Sequence, residues 1–371
     1  MAVENISTNL YRIRKSKKIS MQELSDSCNL SRVAYSAIEN GKSQPKSSTL
    51  IGLASNLGVD IKDLLAEAPQ FKSLRFRTHK TMTKQQQNTR QQIIYDVARW
   101  LKDYNKLEEL TNSSPSELPS VSLKDPEKAS MEFRKHLGLD QKDAIEDVLG
   151  LLSKQGIKFY LAPFSLKNFF GFSIAKDDGG PAVIVNISDS ITIERRIFTS
   201  VHELGHILLH SESFNQNELL EIEKEEQEAD LFAGYFLLPS EGFNREWEEC
   251  KGLNWYDAVL HIKRKYRVSY KTVLHRLIQL NNLDSKEVYI NFNKIMSQKY
   301  NISLKGNIEP LSFNDGSIEP DSLSNNDFIE DKLHKLVRLA YEEGGISLSR
   351  AAEILRLSME EMRELNNGWK E

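Results

Sequence analysis

Phe198-Thr-Ser-Val-His202-Glu203-Leu-Gly-His206-Ile-Leu-Leu-His210 is the stretch from which the rest of this chain is read. His202 and His206 stand four residues apart, so on a helix they share a face and both imidazoles can aim at one cation. Glu203 follows the first histidine and can take a proton from a water that such a cation activates. Ile197, Val201, Leu204, Ile207 and Leu208 give the segment an apolar face, and no proline interrupts it, so the periodicity predicts a helix. This H-E-x-x-H pattern predicts a Zn²⁺ site with His202 and His206 as ligands and Glu203 as general base.

Catalytic zinc takes three protein ligands and leaves a position for water. The third is sought in the acidic helical run from Glu221 to Pro239, where Ala229, Ala233 and Leu237 form a small-residue stripe suited to close helix contact. Stepping back along that stripe reaches Glu226, with Asp230 on the same side to accept the distal N–H of a ligand histidine. Glu225 and Glu228 are the rivals of Glu226 if the helix begins elsewhere. His210 continues the histidine spacing, but a rise of 1.5 Å per residue puts it about 12 Å from His202 along the axis, which predicts a hydrogen-bonding role. Tyr235 and His261 are the candidates for an oxyanion donor.

The chain has 371 residues, a net charge of −4 and 39% hydrophobic residues, enough for two or three ordinary domains. Charge is unevenly spread: residues 1–100 carry 16 Lys and Arg against 8 Asp and Glu, leaving the remainder at −12. A basic amino-terminal segment calls for a polyanion, and double-stranded DNA is the expected partner. Cys28 and Cys250 are too few and too far apart for a disulfide framework and fit a reducing compartment. The start lacks a basic-then-apolar leader, and no apolar run approaches the roughly 18–20 residues of a membrane span, so a cytoplasmic location without a membrane partner is expected.

Residues 8–66 read as short helices. Ser20 with Glu23 makes a capping box, Cys28-Asn29-Leu30 a tight turn, Ser31 the cap of a third helix, and Gly41 its stop. Helix–turn–helix with that turn length is a DNA-reading unit. Leu24, the Asn29-Leu30-Ser31 turn, Ile38-Glu39-Asn40-Gly41-Lys42, Pro45 and Leu50 resemble the phage-repressor, or XRE, helix-turn-helix family. The resemblance implies that Arg32, Val33 and Ala37 face base edges and that Gln22, Asn40 and Lys42 face phosphates. Ser31, Arg32 and Tyr35 are the polar residues expected to point forward, and paired half-sites would make a homodimer.

A second resemblance covers residues 130–282. Arg195-Arg196-x-Phe198-Thr199-x-x-His202-Glu-Leu-Gly-His206-x-Leu-Leu-His210, followed by Glu226-x-x-Ala-Asp-x-Phe232-Ala-x-x-Phe-Leu-Leu-Pro239, looks like the ImmA/IrrE metallopeptidase family. Gly171-Phe-Ser and Val185-Asn186 resemble its upstream strands, and Val268-Ser-x-x-x-Val273-x-x-Arg276-Leu its downstream helices. Members are implied to be cytoplasmic, site-specific peptidases that cut helix-turn-helix repressors and so switch on stress or mobile-element genes. Here a repressor-like domain precedes the peptidase, which leaves a separate repressor, this chain's own linker, or no target at all as the alternatives.

The predicted fold is multidomain and mainly α. A helix-turn-helix bundle (1–70) leads into a helical connector and linker (71–126), whose basic run from Lys72 to Arg90 is read as a solvated helix face. An α+β zincin-like core (127–282) follows, with a small sheet from strands near 157–162, 169–174 and 182–187. A linker (283–326) and a C-terminal helix-turn-helix-like module (327–371) complete the chain. The function expected is a DNA-binding regulator with zinc endopeptidase activity. The competing expectation is a non-proteolytic repressor or antitoxin whose zinc is structural or sensory.

Overall fold

The computed structural model describes residues 2–17, 19–65, 71–76, 83–113, 117–166, 168–214, 222–306, 308–311 and 321–369. The chain divides into two units, Met1–Gln70 with Met82–Arg99, and Phe71–Thr81 with Trp100–Glu371.

In the first unit, α1 (Ala2–Ser16), α2 (Met21–Ser27), α3 (Arg32–Glu39), α4 (Ser47–Leu57) and α5 (Ile61–Leu65) enclose a core of Leu10, Ile13, Leu24, Tyr35, Ile38, Leu53, Leu57 and Leu64. Ser20 and Glu23 cap α2 reciprocally, and Ser31 accepts the Ala34 N–H at the start of α3. Asn29 turns the chain between the two helices at φ 53°, a region asparagine tolerates. The bundle also buries an ion pair. Arg14 grips both oxygens of Glu39 at 2.7 Å, and the Tyr35 hydroxyl donates to the same carboxylate at 2.5 Å. The first part of α6 (Lys84–Leu110) completes this unit, with the Arg12 guanidinium 3.7 Å above the Tyr95 ring.

The second unit is built on a sheet of four strands, β1 (Leu74–Arg75), β2 (Lys158–Ala162), β3 (Gly171–Ile174) and β4 (Ala182–Asn186), in the order β1-β3-β4-β2. β2 runs parallel to β4, while β3 is antiparallel to both β4 and β1. Every residue of β4 is buried, as a strand flanked on both sides requires. Around the sheet lie α7 (Pro126–His136), α8 (Val148–Lys154), α9 (Ile193–Leu209), α10 (Glu223–Leu237), α11 (Ser240–Glu249), α12 (Trp255–Tyr266), α13 (Tyr270–Asn281) and α14 (Ser285–Tyr300). A C-terminal trio follows, α15 (Lys332–Glu342), α16 (Leu348–Leu355) and α17 (Met359–Gly368).

The helix predicted around His202 is α9, started by Thr192, whose side chain accepts the Arg195 N–H. It packs on α10 with almost no side chain between the backbones. A methyl group added at Gly205 would stand 3.3 Å from the Ala229 Cα, and Ala229 and Ala233 are fully buried. The small-residue stripe thus places Glu226 one turn from the α9 contact.

Two expectations about the connecting stretches are corrected. The segment 71–126 is not only connector, because Leu74 and Arg75 form an edge strand of the sheet and Arg75 is buried. Alternation turns Arg75 to the face opposite Leu74 and Phe76, where Glu225 and Glu226 receive it, so the basic run is not a uniformly solvated face. The segment 283–326 contains α14, whose Phe292 and Met296 are fully buried; the Phe292 ring stacks on Tyr270 at 5.3 Å. Val288, Phe292 and Ile295 carry the helical spacing that a linker would lack. Among the described residues no helix is long and apolar enough to cross a membrane.

Candidate metal centre and DNA-reading helix

α9 presents His202 and His206 on one face, and α10 brings Glu226 against them. The Nε2 atoms of His202 and His206 are 3.1 Å apart. One Glu226 oxygen lies 3.2 Å from His202 Nε2, and the other 3.3 Å from His206 Nε2. All three donors fall within 4.8 Å of one another, the single such cluster among the described residues.

The outward nitrogens are committed. His202 Nδ1 is 2.8 Å from Asp230 Oδ1. His206 Nδ1 is 3.0 Å from His210 Nδ1, and His210 Nε2 is 2.9 Å from Glu228 Oε2. Carboxylates only accept, so the protons sit on His202 Nδ1 and His210 Nε2; His210 Nδ1 then accepts from His206 Nδ1–H. That tautomer leaves both inner Nε2 lone pairs free for a cation. Two imidazoles and a carboxylate so arranged fit a divalent metal such as zinc.

Electrostatics agree. Burial opposes a charged His202, but hydrogen bonds with Asp230 and Glu226 outweigh it and push the imidazole up to about 10. Burial pushes His206 well down and His210 down, keeping both neutral. Burial would raise the Glu226 carboxyl, yet the two histidines hold it well below the usual carboxylate range. Glu203 is buried and is pushed up to about 7 by that burial, against the pull of His202 and of the Ser173 hydroxyl, which donates to it at 2.7 Å. A carboxylate tuned near neutrality suits a general base.

Asp230 also lines a cavity of about 370 Å³ with Phe170, Arg195, Phe198, Lys271 and His275. The Arg195 guanidinium lies 4.2 Å from the Phe170 ring centre.

The sequence reading missed Ser173 and Arg75. Ser173 could have been found from the period-two alternation of its strand, which turns it opposite Phe172 and Ile174. Arg75 lies 2.7 Å from Glu226 and 2.5 Å from Glu225, so Glu225 is held by an arginine and Glu228 by His210. Neither of the two oxyanion candidates joins the centre. Tyr235 lies under the Arg276 guanidinium at 4.0 Å, and His261 faces Glu246 at 3.7 Å.

On the first unit, Arg32 and Val33 stand at the start of α3 in solvent, and Val33 is 81% exposed. Lys42 is exposed beyond the end of α3. Gln22 is exposed and donates to Asp26, and Asn40 donates to the Ser36 carbonyl. The Ser31 oxygen serves as the helix cap. Tyr35 is corrected: it is 0% exposed and bonded to Glu39, so it faces the core because it shares the helix side of Ile38 and Glu39.

Comparison with known families agrees with this division of labour. Residues 152–278 match the model of the IrrE N-terminal-like domain, a peptidase family, and residues 10–64 match that of the helix-turn-helix. The chain thus joins a stretch similar to a helix-turn-helix to one similar to the IrrE N-terminal-like, metallopeptidase-like domain. The protein described as uncharacterized HTH-type transcriptional regulator YqaE, from Bacillus subtilis (strain 168), is 39% identical over 59 residues, 16% of this chain. The chain spans about half of that relative's length, 51%. The solved apo form of the competence regulator ComR from Streptococcus vestibularis aligns over 83% of this chain and 95% of its own, with 10% identity and a TM-score of 0.17.

Proposed function

We propose that this chain is a cytoplasmic transcriptional regulator that binds double-stranded operator DNA through α3 and carries a zinc-dependent endopeptidase in its second unit. Its substrate is a helix-turn-helix repressor, separate or the chain itself, and its cleavage switches stress or mobile-element genes. The observation that supports the peptidase reading most directly is the convergence of His202, His206 and Glu226 beside a buried Glu203.

A zinc ion held by those three residues supplies a Lewis acid and an acidified water. Glu203 takes the proton of the attacking water and hands it to the leaving amine, with Ser173 fixing one of its oxygens. Asp230 orients His202, and the His210–Glu228 pair orients His206. The cavity beside Asp230 receives a substrate side chain, and His275, which burial keeps neutral, stands there as a hydrogen-bond donor. On DNA, Arg32 and Val33 read base edges while Gln22, Asn40 and Lys42 meet phosphates, and Ser31 positions the helix start. Paired half-sites are read by a homodimer.

Elemental analysis tests the centre: wild type is expected to hold about one zinc per chain and His202→Ala to hold little. A wild type with no zinc affinity sinks the peptidase. Bound zinc without cleavage of any co-encoded repressor leaves the non-proteolytic repressor or antitoxin, with a structural or sensory metal. Arg32→Ala is expected to weaken operator binding by about 1–3 kcal/mol in a mobility-shift titration, with zinc content unchanged. Equal operator affinity would remove Arg32 from the interface.

A further inference from the structure

β1 is two residues long, yet both of its faces are used. Leu74 stands across from Ile174, and Arg75 across from Ser173. Leu74 and Phe76 turn to the same side and are fully buried, with the Phe76 ring 4.6 Å from Phe169 and 4.5 Å from Phe172. Alternation then sends Arg75 to the other side, where Ser173 already donates to Glu203.

The Arg75 side chain is 2% exposed, and both of its terminal nitrogens are bonded to carboxylates. Nη2 donates to Glu226 Oε1 at 2.7 Å, and Nη1 to Glu225 Oε2 at 2.5 Å. The Ser213 hydroxyl braces Glu225 by donating to its other oxygen at 2.6 Å. One cross-strand pair thus reaches both acids of the site: Ser173 holds the base and Arg75 the third ligand.

We propose that Arg75 is a positioning residue of the metal centre. It holds one oxygen of Glu226, so that the carboxylate meets the two histidines in a fixed orientation, and it balances the negative charge gathered there by Glu203, Glu225 and Glu226. A buried guanidinium needs carboxylate partners, and its two rigidly spaced terminal nitrogens bridge Glu225 and Glu226 in a way a single ammonium cannot. Arg75 also comes from a segment that residues of the DNA-binding unit bracket in sequence, Met1–Gln70 before it and Met82–Arg99 after it.

This inference rests on the zinc reading, and the test separates the two. Zinc affinity is measured by chelator competition on the full chain for wild type, Arg75→Ala and Arg75→Lys, with helical content by circular dichroism as the folding control. Arg75→Ala is expected to weaken zinc binding by about 10–100-fold, and Arg75→Lys to recover part of the loss. Should the alanine variant not fold, the lysine variant decides, and a several-fold weaker affinity is required of it. Unchanged zinc affinity in a folded variant overturns the proposal. Tighter binding overturns it too, because the guanidinium would then be competing with the metal. A wild type that binds no zinc removes the zinc reading and this inference together, whereas a zinc-binding wild type with an indifferent Arg75 removes only the latter.

Discussion

Glu203→Gln is expected to lower cleavage of the repressor target by about 10²–10⁴-fold while zinc content and operator binding stay at the wild-type level. The amide keeps the shape of the carboxylate and its oxygen can still accept from Ser173, so what disappears is the basic oxygen. The same variant carries a second signature in the metal-free chain. Glu203 has its folded value raised to about 7 from 4.5, so between those limits the folded chain binds more protons than the unfolded one. Stability is therefore lost as the pH rises from 4.5 toward 7, because the buried carboxyl must ionise. Glutamine does not ionise, so above pH 7 the variant should be the more stable by up to about 3 kcal/mol, with the difference vanishing near pH 4. Urea unfolding with a chelator present, at both ends of that range, measures this. Undiminished cleavage by Glu203→Gln would remove Glu203 from the mechanism, whatever the stability data show.

The second large effect lies in the DNA-binding unit and concerns Glu39. Arg14 and Glu39 are 4% and 2% exposed in their side chains, and the carboxylate accepts from both Arg14 and Tyr35. The Glu39 hydrogen bond is the main cause that raises the Arg14 guanidinium above its ordinary value, while burial works against it. Glu39→Ala leaves a buried guanidinium and a buried phenol without that partner. Breaking a buried pair from one side costs about 3–5 kcal/mol, a large part of what holds a small domain together. The variant is expected to lose operator binding on warming, at a temperature where wild type still binds, because the bundle unfolds. Denaturant unfolding of the variant measures the cost, and a loss under about 1 kcal/mol would mean that the pair is solvated and unimportant.

Much of this architecture could be read beforehand, and the reasons differ by element. α9 announced itself because its apolar spacing, its cap and its two histidines all agree on one period. The Ala229-Ala233 stripe on α10 pointed to a tight contact with another helix, which is α9, and Glu226 stands on the same side of α10. Arg75 escaped notice because a strand of two residues has too few positions to display a period; its charge was absorbed into the run of lysines and arginines around it. Its partners lie 150 and 151 residues away, and a side chain's long-range partner leaves no local trace. Tyr35 shows the opposite error. A hydroxyl marks a residue as polar, but the ring made the bundle's core, and the hydroxyl found its acceptor one helical turn on. α14 carries regular apolar spacing among many polar residues, and composition hid the pattern.

The near-contact of α9 and α10 at Gly205 bears on how the three candidate ligands are spaced. Two of the three donors belong to one helix and the third to its neighbour, and the gap between them is set by backbone touching backbone. The backbone contact sets the distance between the helices, and the contacts of Asp230, His210 and Arg75 set how each donor turns within it. A side chain in place of Gly205 would push the two helices apart and widen the triangle of donors, however well each donor is held.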